Sequence, residues 1–307
     1  MSGQAAVGVL VSLIQVFSAG ASVRTSEVSG NSDVDGEAAS AARAAFVFFG
    51  LSTLFLVFTF ACHTWLVTLP AYKAVVVPFE AKKGITGGDE EREALVGGAA
   101  LIGDLPYKKN RIMDIAKMNA EYNFAVAYVF IVTLSVFPPI TASIRSVHPP
   151  SSSALTHPLL FTAIHFLTFN IGDLIGRYLP MVPRLQFWSS RSHVIMALAR
   201  TLFVPLFLLC NIQRPSSLTL TGGPVINSDI IFFLILLLFG ITNGYVSSLV
   251  MMAAPSCEYN PRMEARPEDV DAAATIAQFC LVGGLAIGSF MSFGVRGTIC
   301  ACNPFTA

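Results

Sequence analysis

Phe169-Asn170-Ile171-Gly172-Asp173-Leu174-Ile175-Gly176-Arg177 lies within residues 159–179, a segment otherwise dominated by apolar side chains. A helix of about 20 such residues is long enough to cross the hydrocarbon core of a bilayer. Asp173 and Arg177 are the anomaly in it. Placing one charge at the bilayer centre costs about 2.5–3.5 kcal/mol even on the mildest scale. Two such groups persist only if they pair, face protein or water, or serve a solute. Spaced i and i+4, they share one helix face and can meet. Two readings stay open on spacing alone. One is a neutralised pair that fixes helix packing, although a buried pair is weak evidence for stability because desolvation can exceed the Coulombic gain. The other is a contact for a polar solute: the guanidinium offers a rigid fork of donors suited to carbonyl and hydroxyl oxygens, and the carboxylate orients the guest.

The composition around this segment belongs to the membrane class. Of 307 residues, 54% are hydrophobic and only 12% charged, against about 25% charged in soluble domains. Seven apolar runs approach or reach spanning length, at residues 5–21, 44–69, 124–144, 159–179, 194–212, 230–253 and 272–293. The fold class expected is an all-α polytopic membrane protein of about seven transmembrane helices. The first run also resembles a signal peptide in length, but no Lys or Arg precedes it, so a spanning helix is the better reading. The expected organisation is two transmembrane helices in residues 1–71, a polar cytosolic linker in 72–120 with too little apolar surface to order itself, and a five-helix bundle in 121–307. Lys and Arg number twelve in the loops on the linker side and five on the other. By the positive-inside rule the linker and N-terminus are cytosolic and the C-terminus extracellular or lumenal.

Several function classes fall away. Formal net charge is zero, which gives no electrostatic footprint for nucleic acid. The six Cys form no CxxC pair and no His cluster accompanies them, so no metal or other cofactor is expected. No GxSxG, HExxH, Walker or GxGxxG pattern is present, and the protein is not expected to be an enzyme.

Other polar residues sit in the apolar runs. Arg200, in Ala199-Arg200-Thr201-Leu202-Phe203-Val204-Pro205, has no acid of its own. It needs carbonyls, water or an outside acid, or it snorkels to the cytosolic surface. Pro205 should kink that helix by removing a backbone donor. Asn243 is a buried amide that must find partners. Gly240 and Gly244, four apart, permit close helix contact, as do Gly283, Gly284 and Gly288 in the last run. Phe137-Pro138-Pro139 ends the third run as a terminator or part of a gate.

Together these blocks resemble the equilibrative nucleoside transporter family. The resemblance rests on Phe166-Leu-Thr-Phe-Asn170-Ile-Gly-Asp173-Leu-Ile-Gly176-Arg177, on Ala199-Arg200-Thr-Leu-Phe-Val-Pro205 through Asn211, on Asn243-Gly244-Tyr245, and on residues 267–293, in matching order and spacing. It implies a fold similar to the major facilitator fold, and facilitated diffusion of nucleosides or nucleobases by alternating access. It implies that Asp173 and Arg177 contact the nucleoside at the sugar, with Asn170 and Phe166 supporting that face and Leu285 at the base end. Pro138 would belong to an outer gate and Asp271 to a cytosolic one. Arg200, Asn243 and Gly176 would have structural or conformational roles. The membrane implied is the plasma membrane or a vacuolar or lysosomal one. The family has eleven helices, and the match runs from its fifth to its eleventh. The chain is therefore expected to be a truncated form that does not transport alone, and saturable uridine uptake by cells expressing residues 1–307 would contradict that. The alternative is a non-transporting membrane fragment or scaffold acting with a full-length partner. Four further apolar runs upstream of Met1 in the gene would favour the clipped transporter.

Overall fold

The computed structural model describes residues 2–29, 34–70, 72, 111–149, 152–212 and 224–300. The described residues form an all-helical protein: α1 (Ser2–Ser29), α2 (Val34–Thr68), α3 (Ala120–Val136), α4 (Pro158–Tyr178), α5 (Ser190–Ala199), α6 (Phe203–Leu208), α7 (Asp229–Ala253) and α8 (Val270–Cys300). Seven spans, one of them built from α5 and α6 together, are long and apolar enough to cross a membrane. The protein is an integral, multi-pass membrane protein.

The chain divides into two compact units, residues 1–45 with 115–307, and residues 46–114. In the second unit the described part of α2 carries exposed Phe46, Phe58, Phe60 and Trp65. A helix apolar all round is what a membrane span allows. Most of the polar linker expected at 72–120 lies outside the described residues. Its last part is ordered: residues 111–118 are helical, and Ile115 is buried with Met263 and Ala273. Burying that apolar face supplies what the charged stretch before it lacks. The expected boundary at residue 71 also differs from the packing, since α1 lies along α4 through Ala19, Val23, Leu160 and Ala163.

Local chemistry sets the helix ends. Pro158 begins α4, where its missing N–H would be unsatisfied in any case, and the His157 imidazole accepts from the Leu159 N–H. α3 stops before Phe137-Pro138-Pro139, where Phe137 is extended because proline disfavours helical backbone at the residue preceding it, whereas α4 passes at Leu179 into a 3₁₀ turn, Leu179–Met181, that contains Pro180. The run expected at 194–212 as one kinked helix is instead two short helices joined by a 3₁₀ turn, Arg200–Leu202. Pro205 explains the position: it offers no N–H to the Thr201 carbonyl and its ring crowds it. At the start of α7, Asp229 accepts from the Ser146 hydroxyl at 2.6 Å and the Val147 N–H at 3.0 Å, tying the α3–α4 loop to that helix.

The helices α4 and α7 touch backbone to backbone. A Cβ on Gly176 would lie 2.1 Å from the Ile241 carbonyl oxygen, and one on Gly244 would lie 2.0 Å from that of Asp173. Gly172 and Gly240 face each other one turn away. This is the close approach that paired small residues permit. A second seam joins α8 to α3, with Gly284 against Ala127 and Gly288 against Ile131. An aromatic core of Phe137, Phe161, Phe169, Phe207, Phe232 and Phe239 fills one end of the bundle. Tyr122, Val126, Val129, Val246 and Val250 fill the other.

Because the obstructing atoms at Gly244 are backbone, a methyl group there must push the helices apart. Gly244→Ala should destabilise the solubilised protein by about 1–3 kcal/mol or more, read as a lower midpoint of thermal unfolding. Gly283→Ala, whose Cβ would meet nothing within 4 Å, should leave the midpoint within about 0.5 kcal/mol of the parent.

Candidate functional site

The glycine seam fixes where Asp173 points. Gly172 and Gly176 flank it along α4, so its side chain enters the bundle beside the α7 backbone. One carboxylate oxygen, Oδ2, accepts from Arg177 Nε at 2.8 Å, and the two side chains are each 8% exposed. The other, Oδ1, accepts from Asn243 Nδ2 at 2.7 Å. Asn243 is held in turn on its oxygen side. Its Oδ1 lies 2.8 Å from the Thr133 hydroxyl and 3.4 Å from Arg200 Nη2. Thr133 also lies 2.6 Å from the Val129 carbonyl. A hydroxyl carries one proton, so it donates to one of these at a time while accepting from Arg200 Nη2 at 2.9 Å.

Arg200 anchors the far end. It is 1% exposed. Its Nη1 donates to the Phe239 carbonyl at 3.0 Å and to the Thr242 hydroxyl, and its guanidinium carbon stands 4.5 Å over the Phe239 ring. Of the possibilities open from the sequence, snorkelling is excluded, and carbonyl and hydroxyl partners inside the bundle take its place. The Arg200–Leu202 turn is what aims the side chain there, since it swings residue 200 inward where a continuous helix breaks. The result is one connected polar chain, Arg177–Asp173–Asn243–Thr133–Arg200, drawing on α4, α7, α3 and the α5–α6 break. Two guanidiniums and one carboxylate leave this chain with an excess of positive charge and of donors.

Arg177 uses only Nε in the network. Neither Nη has a hydrogen-bond partner among the described residues. Asp173, acceptor-only with about four lone-pair positions, has two of them filled. The pair thus retains both donors and acceptors for a guest.

The comparisons with known proteins identify the family. The family model described as "Nucleoside transporter" matches residues 1–297. The chain belongs to the nucleoside transporter family. It is 33% identical over 218 residues to equilibrative nucleoside transporter 1 of Homo sapiens, covering 70% of this chain and 45% of that protein. It is 36% identical over 166 residues to equilibrative nucleoside transporter 2 of Homo sapiens, covering 54% and 33%. It is 34% identical over 175 residues to equilibrative nucleoside transporter 3 of Rattus norvegicus, covering 57% and 35%. The chain therefore spans between 33% and 45% of the length of these relatives. The family is one of transporters, not enzymes.

The other residues singled out in the sequence fall around the network rather than in it. Gly176 is in the α4–α7 seam. Phe166 is half-buried, edge-on to Phe137 with ring centroids 5.1 Å apart. Asn170 Nδ2 donates to the Ser12 hydroxyl of α1 at 2.7 Å and to the Phe166 carbonyl at 2.9 Å. Leu285 packs against the apolar cluster that includes Val126, Val246 and Leu281. Pro138 and Asp271 are exposed, and no hydrogen bond joins either to the network among the described residues. Thr133 and Thr242 were not singled out by sequence reasoning. A membrane-helix threonine commonly bonds its own backbone four residues back, and Thr133 does so, so nothing in the run marked it as a partner of Arg200.

Arg200→Ala should remove four donor contacts and leave a cavity, destabilising the solubilised protein by about 2–4 kcal/mol. Arg200→Lys should not restore it, because one ammonium cannot span Phe239, Thr242 and Thr133 as a planar fork does. A thermal-unfolding series on the two variants checks this; a parent-like midpoint for Arg200→Lys would contradict it.

Proposed function

We propose that this chain provides the Asp–Arg wall of a nucleoside-binding cavity, in a transporter that lets nucleosides cross a membrane down their gradients by alternating access. The observation that carries the reading is the incomplete use of Arg177 and Asp173. A ribose presents vicinal hydroxyls, each able to donate one proton and accept others. Such a diol matches a face with two open Nη donors and two open carboxylate positions. A site built to hydrogen-bond a hydroxyl also rejects analogues that lack it, because its own buried polar groups are then left unpaired. The names of the relatives, all equilibrative nucleoside transporters, support the substrate class.

In this reading Phe166 offers an aromatic surface beside the sugar, and Asn170 holds α1 against the same helix through Ser12. Leu285 on α8 borders the base. Pro138 belongs to the turn that closes the extracellular or lumenal end, and Asp271 lies at the cytosolic end of α8. The N-terminus and the linker face the cytosol and the C-terminus the opposite side, in the plasma membrane or a vacuolar or lysosomal membrane.

The test is uptake of radiolabelled uridine by transporter-deficient cells expressing the gene product as its native transcript encodes it. The parent should give saturable uptake. Arg177→Ala, at equal surface abundance by biotinylation, should lose at least about tenfold, the equivalent of one hydrogen bond to a charged group. Parent-like uptake by Arg177→Ala would exclude Arg177 as a solute contact.

A further inference from the structure

Asn243 belongs to a different helix from Asp173 and Arg177, yet it holds half of the carboxylate. Its orientation is not free. Asp173 can only accept, and Arg200 can only donate. The amide must therefore turn Nδ2 to Asp173 and Oδ1 to Arg200 and Thr133, as observed at 2.7, 3.4 and 2.8 Å. The reverse rotamer would set acceptor against acceptor and donor against donor. Arg200 is itself immobilised by Phe239 and Thr242. Orientation thus passes from Arg200 through Asn243 to the carboxylate plane of Asp173. Arg177 alone could not fix that plane. It lies one turn along the same helix and grips only Oδ2, so the carboxylate could still rotate about the bond to Cβ. A second donor from α7 on Oδ1 removes that freedom.

From this geometry we propose that Asn243 is a positioning residue for sugar recognition. It fixes the Asp173 carboxylate so that its two open lone-pair positions point at the hydroxyls of the guest, and Arg200 acts behind it by fixing the amide. The proposal rests on the reading that Asp173 and Arg177 contact the nucleoside sugar, and it adds a residue on α7 that need not touch the solute. Discrimination between a nucleoside and its dideoxy analogue then depends on Asn243.

The charged groups facing Asn243 are Asp173 and Arg177 from α4 and Arg200 from the α5–α6 break; α3 contributes the neutral Thr133. Asn243→Asp is therefore an informative variant. It keeps the shape of the side chain and still offers oxygen to Arg200, but it presents an acceptor to Asp173 where the parent presents a donor. Asn243→His retains an N–H donor and serves as the rescuing variant. The experiment measures inhibition of radiolabelled uridine uptake by unlabelled uridine and by 2′,3′-dideoxyuridine, for the parent, Asp173→Asn, Asn243→Asp and Asn243→His, normalised to surface abundance.

The parent should prefer uridine over the dideoxy analogue by about tenfold or more, the value of a hydrogen bond to a charged group. That preference should collapse towards unity in Asp173→Asn and in Asn243→Asp, and return in part in Asn243→His. Should Asn243→Asp reach the membrane poorly, the preference is read on the fraction that does, since it is a ratio independent of amount. A preference unchanged in Asn243→Asp, with overall uptake lowered, would overturn the proposal and leave Asn243 a packing residue. A preference unchanged in Asp173→Asn as well would overturn the sugar contact itself and the proposal with it. Loss in Asp173→Asn but not in Asn243→Asp would overturn the positioning role alone.

Discussion

The backbone contact between α4 and α7 at Gly176 and Gly244 is the constraint from which the rest of the bundle follows. With glycine at both places the Asp173 carbonyl approaches within 2.0 Å of where a Gly244 Cβ would stand, a separation no other residue allows. That approach puts the Asn243 amide against the Asp173 carboxylate. Displaced by the width of a methyl group, the amide would lose its 2.7 Å hydrogen bond and the carboxylate would keep only its same-helix partner. The small residues thus hold the polar ones in register, and helix packing and solute chemistry become one problem.

A bilayer makes this coupling necessary. Helices gain little from burying apolar side chains against one another when lipid is equally apolar, so close van der Waals contact and interhelical hydrogen bonds carry association. Here both are concentrated in the same place. The glycine seam brings the backbones together, and the chain from Arg177 to Arg200 crosses from α4 to α7, α3 and the α5–α6 break. The seam of Gly284 and Gly288 with Ala127 and Ile131 joins α8 to α3 in the same way. Five spans are locked into one body, and Arg177, whose Nη groups are open among the described residues, sits at its edge.

Much of this was legible in the sequence. Seven apolar runs became seven candidate spans. Asp173 and Arg177 at i and i+4 met, and the paired glycines marked a real seam. Three features were hidden, each for a physical reason. The α5–α6 break starts at Arg200 rather than at Pro205, because proline acts on the carbonyl four residues earlier. Arg200 offered no clue to its partners, since they are a main-chain carbonyl, two hydroxyls and an amide oxygen from distant runs. The helix at 111–118 follows a strongly polar stretch, and only contact with Met263 and Ala273, far away along the chain, orders Ile115. Local pattern reports helix faces; it does not report which faces meet.

The central claim is that the Arg177–Asp173 pair, clamped through Asn243, faces the solute. An experimental structure of the protein in a lipid nanodisc with bound uridine tests it most directly. The account predicts ribose hydroxyls within hydrogen-bond distance of Arg177 Nη and of Asp173, with Asn243 Nδ2 still on the carboxylate. Uridine bound away from α4, or Arg177 turned to lipid with the Asn243 contact broken, would contradict it.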